Sequence, residues 1–154
     1  MKIYLLTHER EIHRPTNTGS IATATCGDLV RRVIWQRRHP DPEIVELIQA
    51  GDAALVYPGT ESGLSLKPVS AFETFILLDA TWQEARKMYN RSPYFKGAER
   101  VSLDPGIESA YCLRRNQREG GLCTAECVIE LLQAKGFGAV AENLREEFGR
   151  FNQR

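Results

Sequence analysis

Apolar residues fall in short runs separated by polar stretches, and the two kinds of run alternate along the chain. Lys2 to Thr7 reads as a first strand. The polar stretch His8 to Gly19, with Pro and Gly, reads as a loop leading to a helix from Ser20 to about Leu29. Arg32 to Gln36 reads as a second strand. Asp41-Pro42-Glu43 is a helix start, with an Asp cap and Pro at the first helical position. Ile44, Val45, Leu47 and Ile48 give that helix its apolar face, and Gly51 ends it. Ala53 to Tyr57 follows as a strand, then a Gly- and Ser-rich loop from Pro58 to Pro68. The continuous run Phe72 to Leu78 reads as a buried strand, followed by an amphipathic helix over Gln83 to Asn90.

Beyond that helix, Arg100 to Leu103 is a short strand and Asp104 to Gly121 is mostly irregular. Thr124 is placed to cap a helix reaching Lys135, with Gly136 as its stop. A last helix runs from about Ala139 to Phe151, with Val140, Leu144, Phe148 and Phe151 inward. Strands alternating with helices predict an α/β fold, a mainly parallel sheet flanked by helices. The pattern does not specify strand order.

The length of 154 residues and 42% hydrophobic content suit one globular domain with a substantial core. Twenty Lys and Arg balance twenty Asp and Glu, so net charge does not point to a polyanion. A local basic stripe can still bind phosphates on a neutral protein. Arg31, Arg32, Arg37 and Arg38 cluster in one stretch, and Arg86, Lys87, Arg91, Arg114, Arg115 and Arg118 lie near other marked segments. A solvated face is the simple account of each cluster alone. Cys26, Cys112, Cys123 and Cys127 include no CxxC pair, which suits reduced thiols in the cytoplasm. Cys123 and Cys127 alone are too few for a structural zinc, so no metal is expected. The apolar run at Met1 to Leu6 is too short to span a membrane or to be a cleaved leader.

Three segments are richer in polar and small residues than a scaffold needs. Asp79-Ala80-Thr81-Trp82 puts a carboxylate at the carboxyl end of a strand beside a helix start, where open α/β sheets bind ligands. Its simpler reading is a helix cap by Asp79 or Thr81. Arg14-Pro15-Thr16-Asn17-Thr18-Gly19 stands at a loop-to-helix junction whose free N–H groups suit an anion, or it is a helix start capped by Thr18 or Ser20. Ser109 to Arg115, with Leu122-Cys123-Thr124-Ala125-Glu126, brings an aromatic and two arginines to another helix start. Thr124 and Glu126 do not have capping-box spacing, so Glu126 reads as a favourable charge at the helix N-terminus.

Together these segments resemble the DTW-domain family. The matching pieces are His8 with Glu9 and Glu11, Arg14 to Gly19, Tyr57-Pro58-Gly59, Asp79 to Met88, Tyr111-Cys112-Leu113-Arg114 and Leu122 to Glu126, in the family's order. The resemblance implies a tRNA-uridine aminocarboxypropyltransferase. Such enzymes move the 3-amino-3-carboxypropyl group of S-adenosylmethionine to N3 of a tRNA uridine and release methylthioadenosine. It also implies a fold similar to that of SPOUT methyltransferases, with a knotted cofactor site. On that analogy Thr18, Leu78, Trp82, Tyr111, Leu113, Arg114, Leu122 and Thr124 contact the co-substrate. Arg14, Asn17, Arg86 and Arg115 contact the tRNA. The chain departs from the pattern twice: it is expected to be a single DTW domain over 1–154, lacking the cysteine-rich zinc segment of many relatives. Cys123 also stands where relatives more often carry Ser.

The reaction asks for removal of the uridine N3 proton, and Asp79 is the expected general base. A neutral thioether leaves, so no metal is required. In-line attack on the correct carbon then depends on geometry. Trp82 either stacks on a base or belongs to the core. The target uridine must leave its stack to reach the pocket, while basic side chains hold the RNA backbone. Two other functions remain open at this point: a SPOUT-like RNA methyltransferase with the same co-substrate, and a non-catalytic RNA-binding or cofactor-binding module. Oligomeric state is not legible in the sequence.

Overall fold

A computed structural model describes residues 1–57, 67–103 and 122–153. Among the described residues five strands form one sheet: β1 (Lys2–His8), β2 (Val30–Trp35), β3 (Ala53–Tyr57), β4 (Thr74–Asp79) and β5 (Glu99–Ser102). Their order is β2-β1-β4-β3-β5, and every pairing is parallel. The same residues form five α-helices: α1 (Gly19–Cys26), α2 (Pro42–Gln49), α3 (Trp82–Asn90), α4 (Thr124–Ala134) and α5 (Gly138–Asn152). The expected α/β class with a parallel sheet flanked by helices is the observed one.

Alternation along the strands divides the core in two. Ile3 and Leu5 of β1 and Phe75 and Leu77 of β4 point to one face, where Ala22, Val128, Leu131, Leu132, Ala141 and Leu144 of α1, α4 and α5 cover them. Tyr4, Leu6 and Ile76 point to the other, against Ile44 and Ile48 of α2, Met88 of α3 and Phe95. Each fully buried Leu, Ile or Phe stabilises the fold by roughly 1.5–3 kcal/mol relative to exposure. The helix starts follow local chemistry. Asp41 Oδ1 accepts from the N–H groups of Glu43 and Ile44 at 3.0 and 3.2 Å, with Pro42 at the first helical position. Gly51 and Gly136 take φ of +74° and +86° just past α2 and α4, the left-handed geometry glycine supplies at helix ends.

Several boundaries differ from those the pattern predicts. β2 starts at Val30, two residues early, because Val30 is buried in the core and pairs with Ile3. β4 starts at Thr74 and runs on through Asp79, which pairs with Thr7. Phe72 follows a short 3-10 turn at Val69–Ala71. Lys67, expected within a loop, bridges to Val101, its N–H donating to the Arg100 carbonyl at 2.8 Å.

The topology marks one place. The chain leaves β1 toward α1 on one face of the sheet and leaves β4 toward α3 on the other, yet β1 and β4 are neighbours. Connections that diverge from adjacent parallel strands open a crevice at the strands' carboxyl ends, the usual ligand position in such sheets.

Candidate functional site

Asp79 closes β4 at this crevice, turned toward α1 and α4. It is 1% exposed. Its Oδ2 accepts from Thr7 Oγ1 at 2.9 Å and from Arg32 Nη2 at 3.3 Å. Its Oδ1 accepts from Asn17 Nδ2 at 3.0 Å and from Thr124 Oγ1 at 2.9 Å. A carboxylate offers about four lone-pair positions, and four donors occupy them. This carboxylate therefore ties together β1, β2, the start of α1 and the start of α4. Gly19 is the reason it fits. A Cβ there would stand 2.4 Å from Asp79 Oδ2 and 2.8 Å from its Cγ.

The neighbouring residues extend the network. Asn17 is buried; its amide also donates to Glu11 Oε1 at 3.0 Å, and its Oδ1 accepts from the Ser20 N–H at 2.9 Å and from Arg32 Nη2 at 2.7 Å. Asn17, rather than Thr18 or Ser20, thus satisfies the first turn of α1. Thr18 instead reaches another segment: its Oγ1 accepts from the N–H of Ala125 at 3.0 Å, satisfying the first turn of α4 across 107 residues of sequence.

A second charged cluster adjoins the first. Arg14 donates from both terminal nitrogens to Glu84, at 2.7 and 2.8 Å, and also to the buried Glu11. Glu84 completes a capping box with Thr81, each accepting from the other's N–H at 3.2 Å. Burial alone would raise the Glu84 carboxyl, but the Arg14 fork and the Thr81 hydrogen bonds outweigh it and hold the group at about 2. The hydrogen bonds to Glu84, and after them those to Glu11, raise the Arg14 pKa further. The His8 ring stacks on Trp35 at 5.8 Å and lies 3.9 Å from Glu84, and its Nδ1 accepts from the Arg10 N–H.

The residues expected from sequence separate into distinct groups. Asp79, Asn17, Thr18 and Thr124 meet in the cluster. Thr124 is the first residue of α4 and not its cap; Cys123 takes that place, and its N–H donates to Glu126 Oε1 at 3.0 Å. Glu126 is therefore a hydrogen-bond partner of the turn as well as a charge near it. The cap at the Asp79 corner is Thr81, so the capping account of Asp79 is set aside. Four donors occupy the acceptor positions of Asp79 in this structure, and its expected part as base belongs to the proposal below. Arg14, expected on tRNA, is engaged by two buried carboxylates. Leu78 is half-buried and Leu122 buried in the core. Trp82 is 41% exposed, which excludes a core role. Arg86 is exposed. Tyr111, Leu113, Arg114 and Arg115, with Cys112, lie outside the described residues.

Sequence reasoning missed Thr7, Gly19, Glu84 and above all Arg32. The signal for Arg32 was period two. Once β2 begins at Val30, Arg32 shares the face of Val30 and points inward. Its Nε is buried with no hydrogen-bond partner. Burial, first, and the nearby Glu126 carboxylate both push the Cys123 thiol up, so it is held as a neutral thiol. Among the described residues no three His, Cys, Asp or Glu stand together as a metal set. No helix among them is long and apolar enough to cross a membrane.

The fold and cluster define a class: a parallel α/β protein with a saturated carboxylate at its topological switch point, joined to the start of a distant helix. A family model described as DTW domain matches residues 1–154, and the chain belongs to the DTW-domain family. It is similar to the protein named tRNA-uridine aminocarboxypropyltransferase 2 of Macaca fascicularis, 25% identical over 140 residues, covering 84% of this chain and 46% of that protein. The protein of the same name from Mus musculus matches at 25% identity with the same coverage. The chain thus spans about half the length of the curated relatives it matches. No solved structure matches it.

Proposed function

We propose that this chain transfers the 3-amino-3-carboxypropyl group of S-adenosylmethionine to N3 of a uridine in tRNA, in the cytoplasm. The observation that carries the reading is the hydrogen bond from Thr124 to Asp79. It joins the corner after β4 to the start of α4 at the switch point, in the segments by which the chain resembles the family. The names of the matched relatives supply the reaction.

The residues present fit the co-substrate by their chemistry. Half-buried Leu78 and Cys123 offer apolar contact, and the Thr124 hydroxyl offers a polar one. When bound, S-adenosylmethionine supplies an electrophilic methylene and a neutral thioether as leaving group. Uridine N3 loses its proton and forms the N–C bond as the C–S bond breaks, its electron pair remaining on sulfur. In this reading Asp79 acts at one remove. Thr124 relays the proton: its oxygen takes the N3 proton as its own hydroxyl proton passes to Asp79 Oδ1, so the carboxylate ends protonated and no oxonium forms. Asp79 is then the final proton acceptor and Thr124 the group that meets the base. The knotted cofactor site implied by the resemblance belongs to this proposal, together with the assignments to Tyr111, Leu113, Arg114 and Arg115.

The test is incubation of the protein with unmodified tRNA and S-adenosylmethionine, with mass spectrometry of the nucleosides and of the by-product. Methylthioadenosine and a uridine heavier by the aminocarboxypropyl group are expected. S-adenosylhomocysteine would identify a methyltransferase instead, and no product with any tRNA would leave a binding module.

A further inference from the structure

The formal charge of the chain is zero, and the two ends of the sheet differ in how their exposed charges are partnered. Asp28, Asp52 and Glu73 stand just before β2, β3 and β4, all exposed, and Glu99 opens β5. These acids lie at the amino end of the sheet, where Lys135 and the Met1 amine pair with Glu73 and Lys67 pairs with Glu99. The carboxyl end carries several exposed bases. Arg37, Arg38 and His39 follow β2, Arg10 and His13 follow β1, and Arg86 lies in the helix after β4; all are exposed. Of the acids at this end Glu9 is exposed and Asp41 half-buried as the cap of α2, while Glu11, Asp79 and Glu84 are buried against Arg14, Asn17 and Arg32. Arg37, Arg38 and Arg86 make no ion pair among the described residues. Their charge faces solvent.

Two large apolar side chains are exposed among the described residues, Trp82 at 41% and Ile34 at 48%, and both stand at this same end. Thr7 pairs with Ile34 on one side and Asp79 on the other, so β2 and β4 end level. Two strand spacings, about 10 Å, separate them. An arginine turn, a crevice and an exposed indole thus lie side by side.

We infer that this carboxyl-end rim is the surface that holds the RNA. Arg37 and Arg38 grip backbone phosphates beside β2, and Trp82 stacks on an unpaired base at the mouth of the crevice. The inference rests on the RNA substrate proposed above, and it names the surface and the residues. Guanidinium groups match phosphate geometry, and an exposed aromatic beside a basic groove is the chemistry of single-stranded and loop RNA recognition. An anionic membrane surface also attracts arginines, but it gives a single indole no base to stack on.

The test is binding of a fluorescein-labelled, unmodified tRNA transcript by anisotropy from about 50 to 200 mM salt. Arg37→Ala/Arg38→Ala is expected to weaken binding roughly tenfold and to reduce the salt slope by about 1–2. Trp82→Ala should weaken it about 5- to 100-fold with the slope unchanged. Lys96→Ala, an exposed base before β5, should bind as the wild type. Circular dichroism and urea melts verify folding. Wild-type affinity and slope in the double-arginine variant overturn the inference. So does equal weakening by Lys96→Ala, or binding to phosphatidylserine–phosphatidylcholine vesicles without binding to tRNA. Binding to tRNA through these residues without methylthioadenosine formation would refute the proposed reaction and leave this surface standing. Normal product formation with no loss of affinity in the variants would do the opposite.

Discussion

Gly19→Ala tests the packing of the Asp79 cluster with one methyl group. Gly19 opens α1 and has no positive φ, so its backbone admits alanine. The obstacle is the carboxylate: the new Cβ would lie 2.4 Å from Asp79 Oδ2, 2.8 Å from Cγ and 3.0 Å from Oδ1. Asp79 cannot swing aside cheaply, because it is 1% exposed and held by Thr7, Asn17, Arg32 and Thr124. Overpacking costs about 1–3 kcal/mol. Lengthening a hydrogen bond to the charged group forfeits part of the roughly 1.5–3 kcal/mol that such a bond contributes. Alanine recovers about 0.4–1 kcal/mol by stiffening the unfolded chain. The net expectation is a loss of about 2–3 kcal/mol. In urea this shifts the midpoint down by about 1 M at a typical slope. The matched control is Gly138→Ala, also the first residue of a helix, where nothing lies within 4 Å of the added Cβ. It should be neutral or slightly stabilising. If both variants melt together, the close approach of Gly19 to Asp79 does not constrain the fold, and the account of the cluster fails.

Other outcomes follow from the same contacts. Glu84 is held at about 2 against an ordinary value of 4.5, a difference worth roughly 3 kcal/mol. That stability is fully present above pH 4.5 and is lost as the pH falls toward 2. Acid titration of stability should therefore flatten in this window for Glu84→Gln, and an unchanged profile would refute the Arg14–Glu84 account. Thr124→Val should reduce turnover at least tenfold while Thr124→Ser retains most of it; equal activity of both would remove the hydroxyl from the reaction. Cys123→Ser places a stronger acceptor before the N–H of Glu126, three residues on, and should stabilise the fold by about 0.5–1 kcal/mol in urea melts. A destabilised serine variant would mean that burial of the thiol outweighs the cap.

Much of this protein was legible in its order of residues, because the relevant forces are local. The continuous apolar run of β1, the Asp41-Pro42 start of α2 and the glycines at 51 and 136 are set by neighbours a few positions apart. So was the interest of the Asp79–Trp82 corner, since a buried strand ending in a carboxylate beside a helix start is a local pattern. The role of each residue there was not. Asp79 reads alone as a cap or a base, yet Thr81 takes the cap and four donors from four other segments, 45 to 72 residues away, fill the acceptor positions of Asp79. Arg14 reads as a phosphate ligand until Glu84, 70 residues on, claims both of its nitrogens. Trp82 shares an amphipathic segment with buried Met88, and only the packing of α3 leaves the indole in solvent. Strand order, the switch point between β1 and β4 and the gathering of Arg37, Arg38 and Trp82 at one end of the sheet exist only once distant strands pair. Parallel pairing joins residues far apart in sequence, so local pattern carries the elements while tertiary structure decides what their polar ends can do.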